Sequence, residues 1–187
     1  MSGTLKQQQL AVLALIKRRT VDLGGDPWLE QLAASRELDL VREIALWWRR
    51  FQIETLCRYT SRLLKRLGHF DREVETYFEA NATSPFIEQI APAFLESLRA
   101  HPDPLLRSVA QFELACIRLR EPSPQRFRIV WDRDPNLALA ALDSFALLPA
   151  PDGFEYVMQV DAAIPGSVAC VRRTRGDRMA VCAVAGG

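Results

Sequence analysis

Few side chains in this sequence have the type and spacing that catalysis or metal binding requires. The 187 residues include two histidines, His69 and His101, and neither has a second metal-ligating side chain at a suitable spacing. The four cysteines form no CxxC motif and no paired Cys/His pattern. Glycine-rich phosphate loops and nucleophile elbows are also missing. The sequence therefore predicts a chain that holds no cofactor and is not an enzyme on its own.

The run Trp47-Trp48-Arg49-Arg50 is the strongest candidate for a binding function. Aromatic rings beside guanidinium groups can form a base-stacking surface. In a helix with about 100° per residue, however, both tryptophans fall on an apolar face and the arginines point elsewhere. We therefore predict that the tryptophans are packing residues, buried within the helical part or under a partner. The other apolar residues of that face are Leu40, Ile44 and Phe51.

The second half of the same predicted helix carries a basic stripe, defined as Arg58, Arg62, Lys65 and Arg66. Its apolar positions lie opposite those of the first half, so the two halves pack against different neighbours or the helix bends near residue 51. The stripe is either a solvated face, with Glu54 supporting Arg58 at i,i+4, or a docking surface for an acidic partner. The residues predicted to contact a partner protein are Trp47, Trp48, Arg50, Arg58 and Arg62.

Charge and composition favour a cytoplasmic protein that does not depend on nucleic acid. Residues 1–120 carry 17 basic and 15 acidic side chains, and residues 121–187 carry 7 and 8. DNA affinity needs a concentrated basic face, so a helical nucleic-acid-binding or regulatory module is only the alternative reading. No apolar run approaches the roughly 20 residues that span a bilayer. The N-terminus lacks a secretory signal, and free thiols are expected.

The first two thirds of the chain reads as helical. Asp26-Pro27, Ser84-Pro85 and Asp103-Pro104 each place a capping side chain before a proline at the first helical position. Gly68 is expected to end the long helix, and Pro92 to bend or split the fifth helix. We predict helices over 4–19, 27–35, 38–67, 72–82, 85–99 and 104–120.

The last third shows the period-two alternation of strands with one buried face, over 126–131 and 154–161. Two further strand-like segments flank Arg175-Gly176-Asp177, a plausible hairpin turn that could bring Cys170 and Cys182 together. The segment 135–148 is compatible with a short helix or a strand. The sequence thus predicts an α+β fold, with a helical domain over 1–120 and an antiparallel sheet domain over 121–187.

Several segments in this order resemble TglI-like, HvfC-like and BufC-like proteins, the companions of multinuclear non-haem iron enzymes that modify peptides. Individually they are mostly packing residues, and the resemblance rests on their order and spacing across most of the chain. The segments are LWWRRFQIETLCRYTSRLLKRLG, SPFIEQIAPAFLESL, DPLLRSVAQFELACIRL, VWDRDP, FEYVMQV and PGSVACVRR.

The resemblance implies a non-catalytic subunit that forms a heterodimer with an iron enzyme built on a TIM-type barrel, which supplies the iron. The companion would bind the leader of a ribosomally made carrier peptide and present its C-terminal cysteine for β-carbon excision, as in 3-thiaglutamate biosynthesis. An extended leader can add a strand to a sheet edge, although charged edge residues can also simply prevent aggregation. The residues predicted to contact the peptide are Arg126, Arg128, Trp131, Asp132, Arg133, Arg172 and Arg173.

Overall fold

Helices followed by a small antiparallel sheet make up the computed structural model, which confirms the predicted α+β class. The structure describes residues 4–18, 20–81, 87–120, 126–161 and 168–174. The helices are α1 (Leu5–Ile16), α2 (Pro27–Ala33), α3 (Arg36–Leu56), α4 (Arg58–Arg66), α5 (Phe70–Ala80), α6 (Ile87–Ser97), α7 (Pro104–Arg118) and α8 (Pro135–Ser144), with a 3₁₀ turn at Leu98–Ala100. The strands are β1 (Arg126–Trp131), β2 (Phe154–Asp161) and β3 (Val168–Thr174).

An aspartate followed by proline starts three of the helices. Asp26, Asp103 and Asp134 each accept two backbone N–H hydrogen bonds from the first turn of α2, α7 and α8. Each carboxylate pairs N–H groups that have no partner inside the helix, and the following proline has no N–H to leave unpaired. The cap at Asp134 belongs to the segment 135–148, which the sequence left as either a short helix or a strand. The segment begins with a helix, α8. The predicted Ser84-Pro85 cap lies outside the described residues.

The prediction of one continuous helix over 38–67 is wrong, because the helix breaks at Cys57, which has φ −115° and ψ 66°. The cause is a distant side chain. Glu113 of α7 accepts hydrogen bonds from the backbone N–H groups of Tyr59 (2.7 Å) and Thr60 (2.8 Å). These N–H groups are orphan donors at the start of α4, and no side chain of Cys57 caps them. The buried carboxylate therefore supplies the N-cap that lets α4 begin as a separate helix.

Gly68 ends a helix as the sequence predicted, whereas Pro92 does not split the helix in which it lies. Gly68 takes φ +69° just beyond α4, and the N–H of His69 returns to Leu64 O (2.9 Å), as in a C-terminal glycine cap. Pro92 lies inside α6, which continues through it from residue 87 to 97. The helix is therefore not split at this proline.

The sheet has the order β1-β2-β3, with both pairs antiparallel. The register places Ile129 opposite Met158 and Trp131 opposite Tyr156, and all four side chains are buried. Arg128 and Val130, the neighbours of Ile129 in the strand, are exposed. The alternation therefore predicted the buried face of β1 correctly. The predicted hairpin turn at 175–177 and the strand after it lie outside the described residues.

One hydrophobic core is shared by the helices and the sheet. Leu106 and Val109 of α7 are fully buried in the same cluster as Ile129 and Trp131 of β1. The predicted boundary at residue 120 therefore separates types of secondary structure that share a core. Cys57 lies in this core, and burial raises the pKa of its thiol well above the ordinary range. Within the described ranges, no helix is both long and apolar enough to cross a bilayer.

Candidate functional site

The side of α3 that faces away from the core is apolar and uncovered. Trp47 is 61% exposed, Trp48 48% and Phe51 49%. Of the two predicted environments of these tryptophans, burial within the helical part is therefore wrong, and burial under a partner stays a prediction. Their side of α3 is opposite the core-facing side, where Ile53 is fully buried, and no described element of the chain covers it. We call this surface the aromatic face, which comprises Leu40, Val41, Ile44, Trp47, Trp48 and Phe51.

The rings of the aromatic face order one another. Trp47 and Phe51 stack with centroids 5.9 Å apart and planes 11° apart, and Trp48 and Phe51 stack at 5.6 Å and 26°. Side chains fixed before binding lose less conformational entropy when a partner covers them. Six large apolar side chains, each about half exposed, offer on the order of 500 Å² of surface, near the upper end for single patches on monomers. The aromatic face is therefore suited to binding another protein.

The basic stripe has a different role, because its arginines bind α8. Arg58 and Arg62 both form ion pairs with Asp143, the Arg62 contact being 2.7 Å. The predicted Glu54–Arg58 pair is not formed. Glu54 instead pairs with Lys65.

Two of these arginines also pair with the C-terminal carbonyl groups of α8. Arg62 donates to Leu142 O (3.1 Å), and Arg66 donates to Ala141 O (2.9 Å) and Ala146 O (2.7 Å). Cations stabilise a helix C-terminus by neutralising its dipole and satisfying unpaired carbonyls. The side chain of Arg62 is 23% exposed in this arrangement. The assignment of Arg62 to a partner interface is therefore corrected to an intramolecular role, and the stripe is not a free phosphate-binding face.

The five predicted partner contacts thus separate into two groups. Trp47 and Trp48 lie together on the aromatic face. Arg50 is beside them and forms ion pairs with Asp71 (3.1 Å) and Glu75 (3.8 Å) of α5. The Arg50 Nε–H nevertheless lacks hydrogen-bond geometry to any described acceptor. Arg58 and Arg62 belong to the contact between α4 and α8.

A second concave surface lies between α7 and β1 and has a volume of about 470 Å³. Arg128 lines it and forms no ion pair with a described residue. The α7–β1 groove, as we name it, is where three of the predicted peptide contacts come together. Its lining residues are Pro104, Arg107, Ser108, Gln111, Arg128, Val130, Trp131, Asp132, Pro151, Gly153, Phe154 and Glu155.

Two of the predicted peptide contacts are used inside the chain. Trp131 is 1% exposed and its ring packs edge-on against Phe112 at 6.3 Å, so the assignment of its side chain to peptide contact is corrected to core packing. Arg133 forms two 2.8 Å hydrogen bonds with Asp132 and one with Pro149 O. The hydrogen bond to Asp132 raises the pKa of Arg133. Arg133 is therefore held in place and is not free to pair with an acidic peptide, which corrects that prediction.

The remaining predicted contacts lie outside the groove. Arg126 pairs with Asp161 at 2.7 Å, and the Arg172 guanidinium lies 3.5 Å from the ring centroid of Phe154. Arg173 Nε is buried and has no hydrogen-bond acceptor among the described residues. Among the predicted peptide contacts, Arg128 is therefore the cationic residue that lines the groove without an ion pair to a described residue.

Sequence analysis missed the α7 side of the groove. Arg107, Ser108 and Gln111 recur at helical spacing, and this polar stripe was a detectable signal. The Ser108 hydroxyl is 2.6 Å from Val130 O, which links α7 to the middle of β1.

The described residues contain no group of three or more His, Cys, Asp and Glu side chains that could hold a metal ion. His101 Nδ1 accepts a hydrogen bond from Asp103 N (3.1 Å) and so supports the turn before α7. Comparisons of this chain with protein-family models, with curated proteins and with solved structures found no match.

Proposed function

We propose that this chain is the non-catalytic companion subunit of a multinuclear non-haem iron oxidase and forms a heterodimer with it. The observation that carries the proposal is the aromatic face, whose stacked rings are exposed. A patch of this size costs free energy in water, and a partner that covers it recovers that cost. In this proposal the iron and the TIM-type barrel belong to the partner. The chain contributes binding and positioning.

The second part of the proposal is that the chain binds the leader of a ribosomally made carrier peptide. The leader lies in the α7–β1 groove, and the C-terminal cysteine of the peptide is thereby held toward the partner's iron for β-carbon excision. Arg128 supports this placement because it forms no ion pair with a described residue and lines a groove beside β1, an edge strand of the described sheet. A carboxylate of the leader would form a charge-assisted hydrogen bond with it.

Partner binding is tested by co-expressing the chain with a multinuclear non-haem iron enzyme of the proposed class. Size-exclusion chromatography with light scattering should show a 1:1 complex, with iron recovered in the enzyme subunit after separation. Trp47→Glu should abolish the complex, because it places a charge in the buried centre of the contact. Trp28→Glu is the matched control, since Trp28 is 53% exposed on α2, outside the aromatic face. Equal loss of the complex in both variants would argue against the aromatic face.

Peptide binding is tested with the full-length carrier peptide and the assembled complex. Arg128→Gln should weaken peptide binding about tenfold, the effect of one charge-assisted hydrogen bond. Arg126→Gln is the matched control, because Arg126 lies two residues away on the same strand, is exposed, and does not line the groove. Unchanged peptide affinity in Arg128→Gln would move the leader site away from the groove, with the heterodimer unaffected.

A further inference from the structure

An acidic trough runs along one flank of the aromatic face. Two depressions of about 550 and 490 Å³ adjoin there and share Trp47 and Arg50. The helix α3 forms one wall, and the end of α4 with the start of α5 forms the other. The residues of this acidic trough are Leu40, Glu43, Ile44, Leu46, Trp47, Arg50, Phe51, Glu54, Lys65, Gly68, Phe70, Asp71 and Glu75.

The charges of the trough are unbalanced toward negative. Four carboxylates lie there with two basic groups, and Arg18 beside the trough pairs with Glu75, so the local net charge is −1. Glu43 forms no ion pair with a described residue, and Asp71, with its side chain 72% exposed, shares Arg50 with Glu75. Glu75 also pairs with Arg18 at 3.4 Å, and Glu54 pairs with Lys65, so the negative charge left over is that of Glu43. A partner that covers the trough is favoured if it brings positive charge.

The shape of the trough suits a helix. From Leu40 to Glu54 the wall formed by α3 extends about 21 Å at 1.5 Å per residue, which matches a helix of about 14 residues. Both walls are helical, and the few N–H groups left unpaired at the first turn of α5 are not the continuous row that a strand edge offers. An extended segment would therefore find no edge to pair with, whereas the ridges of a third helix can pack between the two walls.

We propose that the trough receives an amphipathic helix of the partner, with apolar residues facing Trp47 and Phe51 and with Lys or Arg residues facing Glu43 and Asp71. This inference rests on the proposed function, because it specifies the element of the iron enzyme that docks on the aromatic face. It specifies the charge and the secondary structure of the segment that docks there. The docking helix is basic.

The test compares two glutamates that differ in their place on the surface. Glu43 and Glu30 are both exposed helical residues without an ion pair to a described residue. The purified iron enzyme is the probe, and binding is measured by surface plasmon resonance at 50 and 500 mM NaCl. Glu43→Lys should weaken binding about tenfold at low salt, mainly through the association rate, and less at high salt. Glu30→Lys should leave affinity unchanged.

A photo-crosslinking amino acid at Ile44 identifies the docked segment directly. Ile44 is 57% exposed at the trough, and mass spectrometry of the cross-linked complex should recover a helical segment of the enzyme with apolar residues at i, i+3 or i+4 and i+7 and a net positive charge. A complex that forms equally with Glu43→Lys and Glu30→Lys, or a cross-link to an acidic or extended segment, would overturn the inference. Absence of any complex with the wild-type chain would overturn the proposed function itself.

Discussion

The helices α3 and α4 come from one stretch of sequence with a single predicted helix, yet their candidate binding residues have opposite roles. On α3 the apolar rings of Trp47 and Trp48 remain exposed. On α4 the arginines of the basic stripe are engaged with α8, where Arg62 binds both Asp143 and a C-terminal carbonyl. No described residue covers the exposed rings of α3, whereas the arginines of α4 are paired with residues of α8.

The difference shows which kind of exposed residue is evidence for a partner. An exposed arginine is well solvated, and its contribution when paired at a surface is small, about 0–1 kcal/mol. An exposed apolar patch of about 500 Å² corresponds to roughly 12 kcal/mol of unrealised burial at 25 cal/mol per Å². Part of that gain is lost to the entropy cost of association. The aromatic face is therefore a stronger indication of a binding site than the basic stripe.

The largest predicted effect concerns the aromatic face. Trp47→Ala/Trp48→Ala should raise the dissociation constant of the partner complex by about a thousandfold, because central tryptophans at interfaces each contribute about 2 kcal/mol or more. The melting temperature of the isolated chain should change little, since both side chains are about half exposed. Isothermal titration calorimetry and thermal denaturation measure the two quantities. A variant that unfolds easily and binds normally would reverse our assignment of the two tryptophans.

The next effect concerns Glu113, which caps the start of α4 at the break between α3 and α4. Glu113→Ala should lower the free energy of unfolding by about 2–3 kcal/mol, because the hydrogen bonds from Tyr59 and Thr60 are lost and their N–H groups are left unpaired inside the protein. Urea denaturation monitored by circular dichroism measures the change. Gln111→Ala on the same helix is the control, as Gln111 is half-buried and makes no described hydrogen bond. Equal stability of the two variants would mean that Glu113 does not cap α4.

Local signals predicted much of this fold, and the errors came from contacts between distant residues. The caps at Asp26 and Asp103 and the alternation in β1 are visible in a few neighbouring residues, and the structure confirms them. The break at Cys57 depends on Glu113, more than 50 residues away. The change of the apolar stripe from one side to the other signalled a discontinuity near residue 51, but the position of the break depends on a side chain that neither α3 nor α4 contains.

The same limit applies to the candidate site. The sequence grouped Arg128 with Arg133 because both lie on or beside β1, whereas the structure separates them through the Asp132–Arg133 pair and the groove. The alternation of β1 already indicated that Trp131 faces the core, and its place among the peptide contacts ignored that signal. The acidic trough needed tertiary structure, since α3, α4 and α5 each contribute part of its charge.

A smaller effect is expected from the basic stripe. In a double-mutant cycle, Arg62→Ala and Asp143→Ala should show a coupling energy of about 1 kcal/mol or less, typical of a partly exposed ion pair. Neither substitution should change affinity for the partner enzyme, because the two side chains pair with each other between α4 and α8. Urea denaturation and the binding assay give the two readouts. A large loss of partner affinity in Arg62→Ala would make the stripe part of the interface and remove the contrast with α3.

The smallest effect is the pH dependence of the free energy of unfolding that arises from Glu113 at the break between α3 and α4. Burial raises the pKa of Glu113 above its ordinary value of 4.5, although hydrogen bonds from Thr60 and Tyr59 oppose the shift. A raised pKa in the folded state means that the folded chain binds the proton more tightly than the unfolded chain does. Wild-type stability should therefore fall, relative to Glu113→Gln, as pH rises from 4.5 to the raised pKa, and should then level off. Urea denaturation of both proteins across this range measures the difference. A difference that grows in favour of the wild type with rising pH would show that the two backbone N–H groups stabilise the carboxylate by more than burial costs.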